Sequence, residues 1–275
     1  MRTSSEDRPT VSAVTAVVMV RNEAARLPAC LASLRGAVDR VLVLDTGSTD
    51  GTQDLLARLA ADPAQDPPLG WSTRPFDDFS RSRRAMIEQV KTPYWLWIDA
   101  DERLSPALAA ELADLRRSGR LGDHPLWTLG CRNLIRGREM RSRSLAGQVL
   151  ARLARTGAVR LTGQPVHEGL ELIDPAARIG HLQGALIHET LTSVRAYLRK
   201  IDLYTTLEAR AGRSRYGWLQ PLHLVVTGPA TFWREWVWRA GWRDGPEGLL
   251  WAGLSSWSAA LRSWKVLRGG WGRRR

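Results

Sequence analysis

Two aspartates separated by one residue, Asp99-Ala100-Asp101, stand just past the apolar, aromatic run 94–98 and are followed directly by Glu102. If that run is a strand, the alternation of side chains lets both carboxylates approach one cation, or its bound waters, from the same side. Oxygen ligands of this hardness favour Mg²⁺ or Mn²⁺ over zinc. An Asp-x-Asp by itself also suits a solvated turn, but it does not stand alone. Asp45-Thr46-Gly47-Ser48-Thr49-Asp50-Gly51-Thr52 closes an earlier apolar run, and its glycines permit close approach of backbone to a ligand. Arg21-Asn22-Glu23 closes the run 14–20.

Such clusters act together only if strands bring them to one place. The first hundred residues alternate short apolar runs with amphipathic stretches, the pattern of a parallel sheet with crossover helices. Strands are expected at 14–20, 41–44, 71–74 and 94–98. Helices are expected at 23–34, from an N-cap at Thr49 or Asp50 through Leu59, and at 80–90. Open parallel sheets bind ligands at the carboxyl ends of their strands, so the three polar clusters converge on one edge. After a helix at 106–117, residues 131–160 read as strands and turns. Helices return at 193–211, 231–242 and 246–268, the last with Leu250, Leu254, Trp257, Leu261 and Trp264 as an apolar stripe.

With 275 residues, 44% of them hydrophobic and 25% charged, the chain has a globular composition that excludes disorder. Two cysteines, Cys30 and Cys131, exclude a disulfide scaffold or a four-cysteine zinc site and point to a reducing cytosol. The net charge of +12 is unevenly spread. Residues 1–131 carry 16 basic and 18 acidic side chains, whereas residues 132–275 carry 24 basic and 10 acidic. Nine of the thirteen tryptophans fall in the last 58 residues. Basic charge interleaved with indole suits nucleic acid or an anionic membrane surface, and a tryptophan-rich core under a solvated arginine surface is the plainer alternative. The polar start is not a secretory leader. The uncharged stretch 216–233 is broken by Gln220, Pro221, His223, Gly228 and Pro229, which makes it interfacial or packed and not a span.

The motifs resemble those of the family 2 glycosyltransferases of the GT-A fold. Val18-Met19-Val20-Arg21-Asn22-Glu23 is similar to their first-strand motif, 43–52 to their second, and Trp97-Ile98-Asp99-Ala100-Asp101-Glu102 to their metal motif. Gly163-Gln164-Pro165-Val166-His167-Glu168, Leu186-Ile187-His188, the 197–204 segment and the 241–248 turn resemble the subgroup containing bacterial lipopolysaccharide-core β-glucosyltransferases. The resemblance implies an α/β fold with a Rossmann-like, mostly parallel sheet and flanking helices, plus a C-terminal helical extension. It divides the chain into a disordered segment 1–11, a GT-A domain 12–190, and a basic, Trp-rich helical region 191–275 for membrane association or oligomerisation.

The same resemblance implies roles for matching residues. Arg21, Asn22, Glu23, Asp45, Gly47 and Ser48 would line the nucleotide-sugar pocket, with Asp45 on the base. Asp101, assisted by Asp99, would bind Mg²⁺ or Mn²⁺ at the diphosphate, with His188 as a further ligand. Arg83 would face the phosphates. Where the family has Arg-Asn on the helix before the metal strand, this chain has Arg83-Arg84, so the asparagine's role has no bearer here.

The reaction these parts imply is metal-dependent and inverting: an acceptor hydroxyl loses a proton as it attacks the anomeric carbon of a nucleotide sugar, expected to be UDP-linked. Glu168 is the candidate base with His167 orienting, and Glu102 is the competitor. The acceptor would be lipopolysaccharide core or another lipid-linked glycan, and the enzyme would lie on the inner face of the cytoplasmic membrane, peripherally bound to anionic lipid, with a second copy of the chain as the alternative partner of the C-terminal helices. A catalytically degenerate membrane-binding scaffold and a nucleic-acid-binding protein are the competing functions. The first leaves Asp99, Asp101 and Glu102 without purpose; the second lacks a binding motif, and no nucleic acid partner is expected.

Overall fold

The computed structural model describes residues 13–76, 78–162, 169–211 and 220–269. Residues 1–11, expected to be disordered, lie outside the described residues. The rest divides into two compact units: 13–131, 149–162 and 169–188 form the first, and 132–148, 189–211 and 220–269 the second.

In the first unit the alternating pattern becomes β1 (Val14–Val20), α1 (Leu27–Ser33), β2 (Arg40–Asp45), α2 (Thr52–Ala61), β3 (Leu69–Thr73), α3 (Phe79–Ile87) and β4 (Tyr94–Asp99). A short β5 (Glu102–Leu104) and α4 (Pro106–Arg117) follow, then β6 (Leu126–Ile135), β7 (Arg138–Glu139), β8 (Gln148–Arg155), β9 (Val159–Leu161), β10 (Leu170–Leu172) and β11 (Ile179–Leu191), with β7, residues 132–135 of β6, Gln148 of β8 and residues 189–191 of β11 counted in the second unit. The strands line up as β3-β2-β1-β4-β8-β6-β11-β5. The first three neighbouring pairs are parallel, while β4–β8 and β11–β5 are antiparallel. This is the expected α/β sheet with flanking helices, and the strand order reverses beside β1, where open sheets place their ligand crevice.

β1 is apolar without alternation because both its faces are covered. Val14, Ala16 and Val18 pack with Leu27, Leu34, Leu108 and Leu112, and Val17 packs with Met86, Trp95 and Trp97 on the other face. Local chemistry sets the helix starts. Ser105 accepts from Leu108 N (3.2 Å) ahead of Pro106, and Asp78 accepts from Arg81 N (2.7 Å). The start of α2 differs from expectation: Gly51, at φ 90°, occupies the N-cap, and Asp50 instead accepts from Thr52 N (3.1 Å). α1 begins at Leu27 because residues 23–26 form a turn on the Glu23 carbonyl, which accepts from Arg26 N and Leu27 N.

The second unit holds α5 (Val194–Ala211), α6 (Gln220–Trp233) and α7 (Gly245–Gly269) around Ile135, Met140, Leu145, Leu191, Ile201 and Leu254. The helix expected at 231–242 is a different element. α6 starts at Gln220 and runs through Pro229, then passes into a π-helical turn at Arg234–Trp238 and a 3₁₀ turn at Gly241–Asp244. The exposed Pro229 is tolerated because α6 is held by packing on α7, where Ser256 Oγ donates to the Gly228 carbonyl (2.9 Å). The 241–248 turn is architectural: Asp244 is buried and accepts from Arg141 N and Ser142 N (2.7 and 2.9 Å), and any Cβ on Gly248 would lie 1.9 Å from the Gly241 carbonyl oxygen.

Candidate active site

The three polar clusters lie at the carboxyl ends of β1, β2 and β4. Those of β1 and β2 interlock. Asn22, at φ 58°, donates its N–H to Ser48 Oγ (2.8 Å), and its Oδ1 accepts from Thr49 N (2.7 Å). Glu23 N donates to Thr52 Oγ1 (3.0 Å) and Ala24 N to Asp50 Oδ2 (3.2 Å). Gly47, at φ 99°, turns the chain as residues with a Cβ rarely can. Arg21 is exposed, its guanidinium 5.9 Å from the centre of the Phe76 ring.

Asp45 is fully buried. Its Oδ1 accepts from Gly47 N (2.9 Å), Ser48 N (3.0 Å) and Gln53 Nε2 (2.8 Å). Its Oδ2 has no hydrogen-bond partner among the described residues. Burial pushes the carboxyl up, but the hydrogen bonds from Ser48, Gln53 and Gly47 outweigh it and hold Asp45 below its ordinary 3.8. An ionised carboxylate oxygen is therefore held buried without a hydrogen-bond donor among the described residues.

At the end of β4, Asp99 Oδ1 accepts from Arg83 Nη1 and Trp97 Nε1, each at 3.2 Å, and Arg152 Nη2 lies 3.6 Å from Oδ2. Arg83, buried on α3, stacks 3.5 Å from the centre of the Trp97 ring, and Arg152 lies 4.6 Å from the same centre. Glu102 is buried as well. Its Oε2 accepts from Asp99 N (2.9 Å) and its Oε1 from Arg152 Nη2 (2.8 Å). Burial raises the Glu102 carboxyl; Arg152 opposes that rise and Asp99 adds to it.

Asp101 and His188 meet, with Nε2 and Oδ2 3.5 Å apart. Burial would lower the imidazole, but hydrogen bonds to Asp101 and Cys131 and the charges of Asp101 and Glu102 prevail, and it is pushed up to about 10. For a divalent cation the donor sets differ. Asp101 and, once its imidazolium gives up a proton, His188 offer one carboxylate and one imidazole side by side, whereas Asp99 is occupied by two arginines and an indole. No group of three or more metal-ligating side chains is assembled among the described residues. Two protein ligands fit a hard cation that completes its shell with water and phosphate oxygen.

His167 and Glu168 lie outside the described residues. No motif of the sequence gives Arg152 or Gln53 a place in the site, and Trp97 enters there only as part of the 97–102 motif. The only signal for Arg152 is an arginine set in the apolar run 149–154.

Residues 15–122 match the family model described as Glycosyl transferase family 2. Over 264 residues the chain is 28% identical to the lipopolysaccharide core biosynthesis glycosyltransferase LpsC of Rhizobium meliloti (strain 1021), covering 92% of this chain and 91% of the relative. It is 23% identical to the uncharacterized glycosyltransferase RP128 of Rickettsia prowazekii (strain Madrid E), over 72% of this chain and 67% of that one. Among solved structures, S. aureus TarS 1–349 aligns with a TM-score of 0.43 at 12% identity, covering 95% of this chain and 93% of that chain. All three strand-end clusters lie inside the span that matches the Glycosyl transferase family 2 model, and over most of its length the chain is similar to an enzyme of lipopolysaccharide-core biosynthesis.

Proposed function

We propose that this enzyme moves a sugar from a UDP-linked donor to a hydroxyl of a lipopolysaccharide-core or other lipid-linked glycan, with inversion at the anomeric carbon. The observation that carries the donor half is the unpartnered Asp45 Oδ2. Leaving a buried carboxylate oxygen unsatisfied costs about 1–3 kcal/mol or more, and the imino N–H of a uracil ring is the donor it lacks. The acceptor class is supported by the similarity to LpsC, a glycosyltransferase of lipopolysaccharide core biosynthesis.

Asp101 and His188 would hold Mg²⁺ or Mn²⁺, with Asp99 supporting the site through its place beside Arg83. When bound, the cation supplies positive charge to the diphosphate leaving group. Arg83, fixed by Trp97 and Asp99, presents a preoriented guanidinium to the same phosphates. Glu102 has both oxygens committed to Asp99 N and Arg152, so we assign it to positioning the strand end. Glu168 takes the acceptor proton, with His167 orienting. The new C–O bond forms as the bond to phosphate breaks, in one displacement, and no covalent sugar–enzyme intermediate is needed.

The test is Glu168→Gln, assayed for sugar transfer and for UDP affinity. Transfer should be abolished with nucleotide binding retained. Unchanged turnover removes Glu168 from the role. A thermal-shift screen of nucleotide sugars with and without Mn²⁺ identifies the donor, since only a bound ligand stabilises by mass action.

A further inference from the structure

α6 is turned inside out relative to a helix that faces water. Its polar and small residues face α7: His223 Nδ1 lies 3.0 Å from Ser263 Oγ, and Gly228 receives the Ser256 hydroxyl. Its outward stripe is apolar at helical spacing, with Leu222, Val225, Val226 and Trp233 exposed by 61, 71, 52 and 60%. Trp238, in the π-helical turn that follows, is exposed by 75%. α7 adds the exposed Leu249, Trp257 and Trp264. A soluble helix shows the opposite distribution, and an exposed apolar stripe of this extent marks an interaction surface.

The charges around the stripe choose the partner. Residues 220–269 contain only three carboxylates: Glu235 and Asp244, which are buried, and Glu247, whose side chain is 17% exposed. Glu235 is buried against Arg234 and Arg239. Asp244 is buried on the 141–142 backbone, and Glu247 pairs with Arg138. Arg234 and Arg239, both on Glu235, and Arg262, paired with Glu208 of α5 at 3.5 Å, remain about half exposed. The surface therefore shows cations and hydrocarbon. In a twofold dimer the same arginines would face each other with no exposed carboxylate from 220–269 to answer them. A lipid surface rich in phosphate has no such conflict.

We propose that the α6–α7 face docks onto an anionic lipid bilayer. The 14 residues of α6 measure about 21 Å, short of a bilayer core of about 30 Å. Among the described residues no helix is long and apolar enough to cross a membrane. α6 thus lies in the interfacial plane, its valines and indoles in the headgroup–acyl boundary and the arginines on phosphates. The proposal does not rest on the transferase reading, and its failure would leave that reading intact.

The test is cosedimentation of the full chain with phosphatidylcholine vesicles, with and without phosphatidylglycerol. The triple variant Val225→Ser, Trp233→Ser, Trp238→Ser keeps every charge. The chain should sediment with the anionic vesicles, and the variant's binding should fall about tenfold or more. Trp238→Ser alone, at an exposed position that leaves folding intact, should give a smaller loss in the same direction. Equal binding by chain and variants would reduce the interaction to bulk charge and overturn the proposal. So would a chain that stays in the supernatant with every vesicle, or one that is dimeric in solution, becomes monomeric in the triple variant and ignores lipid.

Discussion

His188 Nε2 stands 3.5 Å from Asp101 Oδ2, and the antiparallel register of β11 on β5 sets His188 opposite Glu102. An imidazolium so placed ties β11 to the turn after β4. Its folded value, about 10, lies above the ordinary 6.5, so its contribution to stability is complete below pH 6.5 and is lost as pH rises through 10. His188→Gln should cost the metal-free protein about 2–3 kcal/mol below pH 6.5 and little above pH 10. Urea melts in EDTA at the two pH values check this, and equal losses at both would mean that the ion pair is not what holds the strand.

Asp45→Asn keeps an acceptor for Gly47 and Ser48 but sets an amide donor where Oδ2 now points. UDP affinity by calorimetry should fall about ten- to a hundredfold. Because Asp45 is held below 3.8 in the fold, the stability it adds is present above that pH and disappears as pH drops through the lowered value. Acid melts of protein and variant should therefore converge only on the acidic side of 3.8.

Arg152→Met leaves Glu102 buried without its cation. The loss should be about 3 kcal/mol, and the double variant with Glu102→Gln should recover part of it. A single variant as stable as the parent in chemical denaturation would show that the pair contributes nothing.

Gly184→Ala would place a Cβ 2.4 Å from the Cα of Leu108, a backbone atom of α4 that has no rotamer to move. The expected cost is about 1–3 kcal/mol, read as a fall in Tm. Gly130→Ala on β6 meets only Ala185 Cβ at 3.5 Å and should be near neutral.

The parallel half of the sheet was legible because β1, β2 and β4 are buried apolar runs that stop abruptly at polar clusters. Residues at a strand's carboxyl end need no long-range information to be located. Arg152 was not legible, since its pairing with Glu102, 50 positions away, depends on β8 lying antiparallel on β4, and no local pattern announces that register. The start of α6 was missed for another reason: Pro229 reads as a breaker and the outward face lacks the charges that mark a helix boundary. The neighbours of Asp99 and Asp101 were equally out of reach of the sequence: Trp97 and Arg83 on Asp99, and His188 beside Asp101, meet only through the packing of α3 and β11 on the end of β4.

The reciprocal bonds between Asn22–Ala24 and Ser48–Thr52 make two loops, about 26 positions apart in sequence, into a single mechanical part. Neither motif can drift alone. A change at Asn22 loosens the turn that shapes Asp45, and a change at Ser48 frees the Asn22 backbone, so paired substitutions there should depart strongly from additivity. Sequence variation within such a part is constrained as a pair of matched halves, and an exchange of both loops together should be tolerated where an exchange of either one is not.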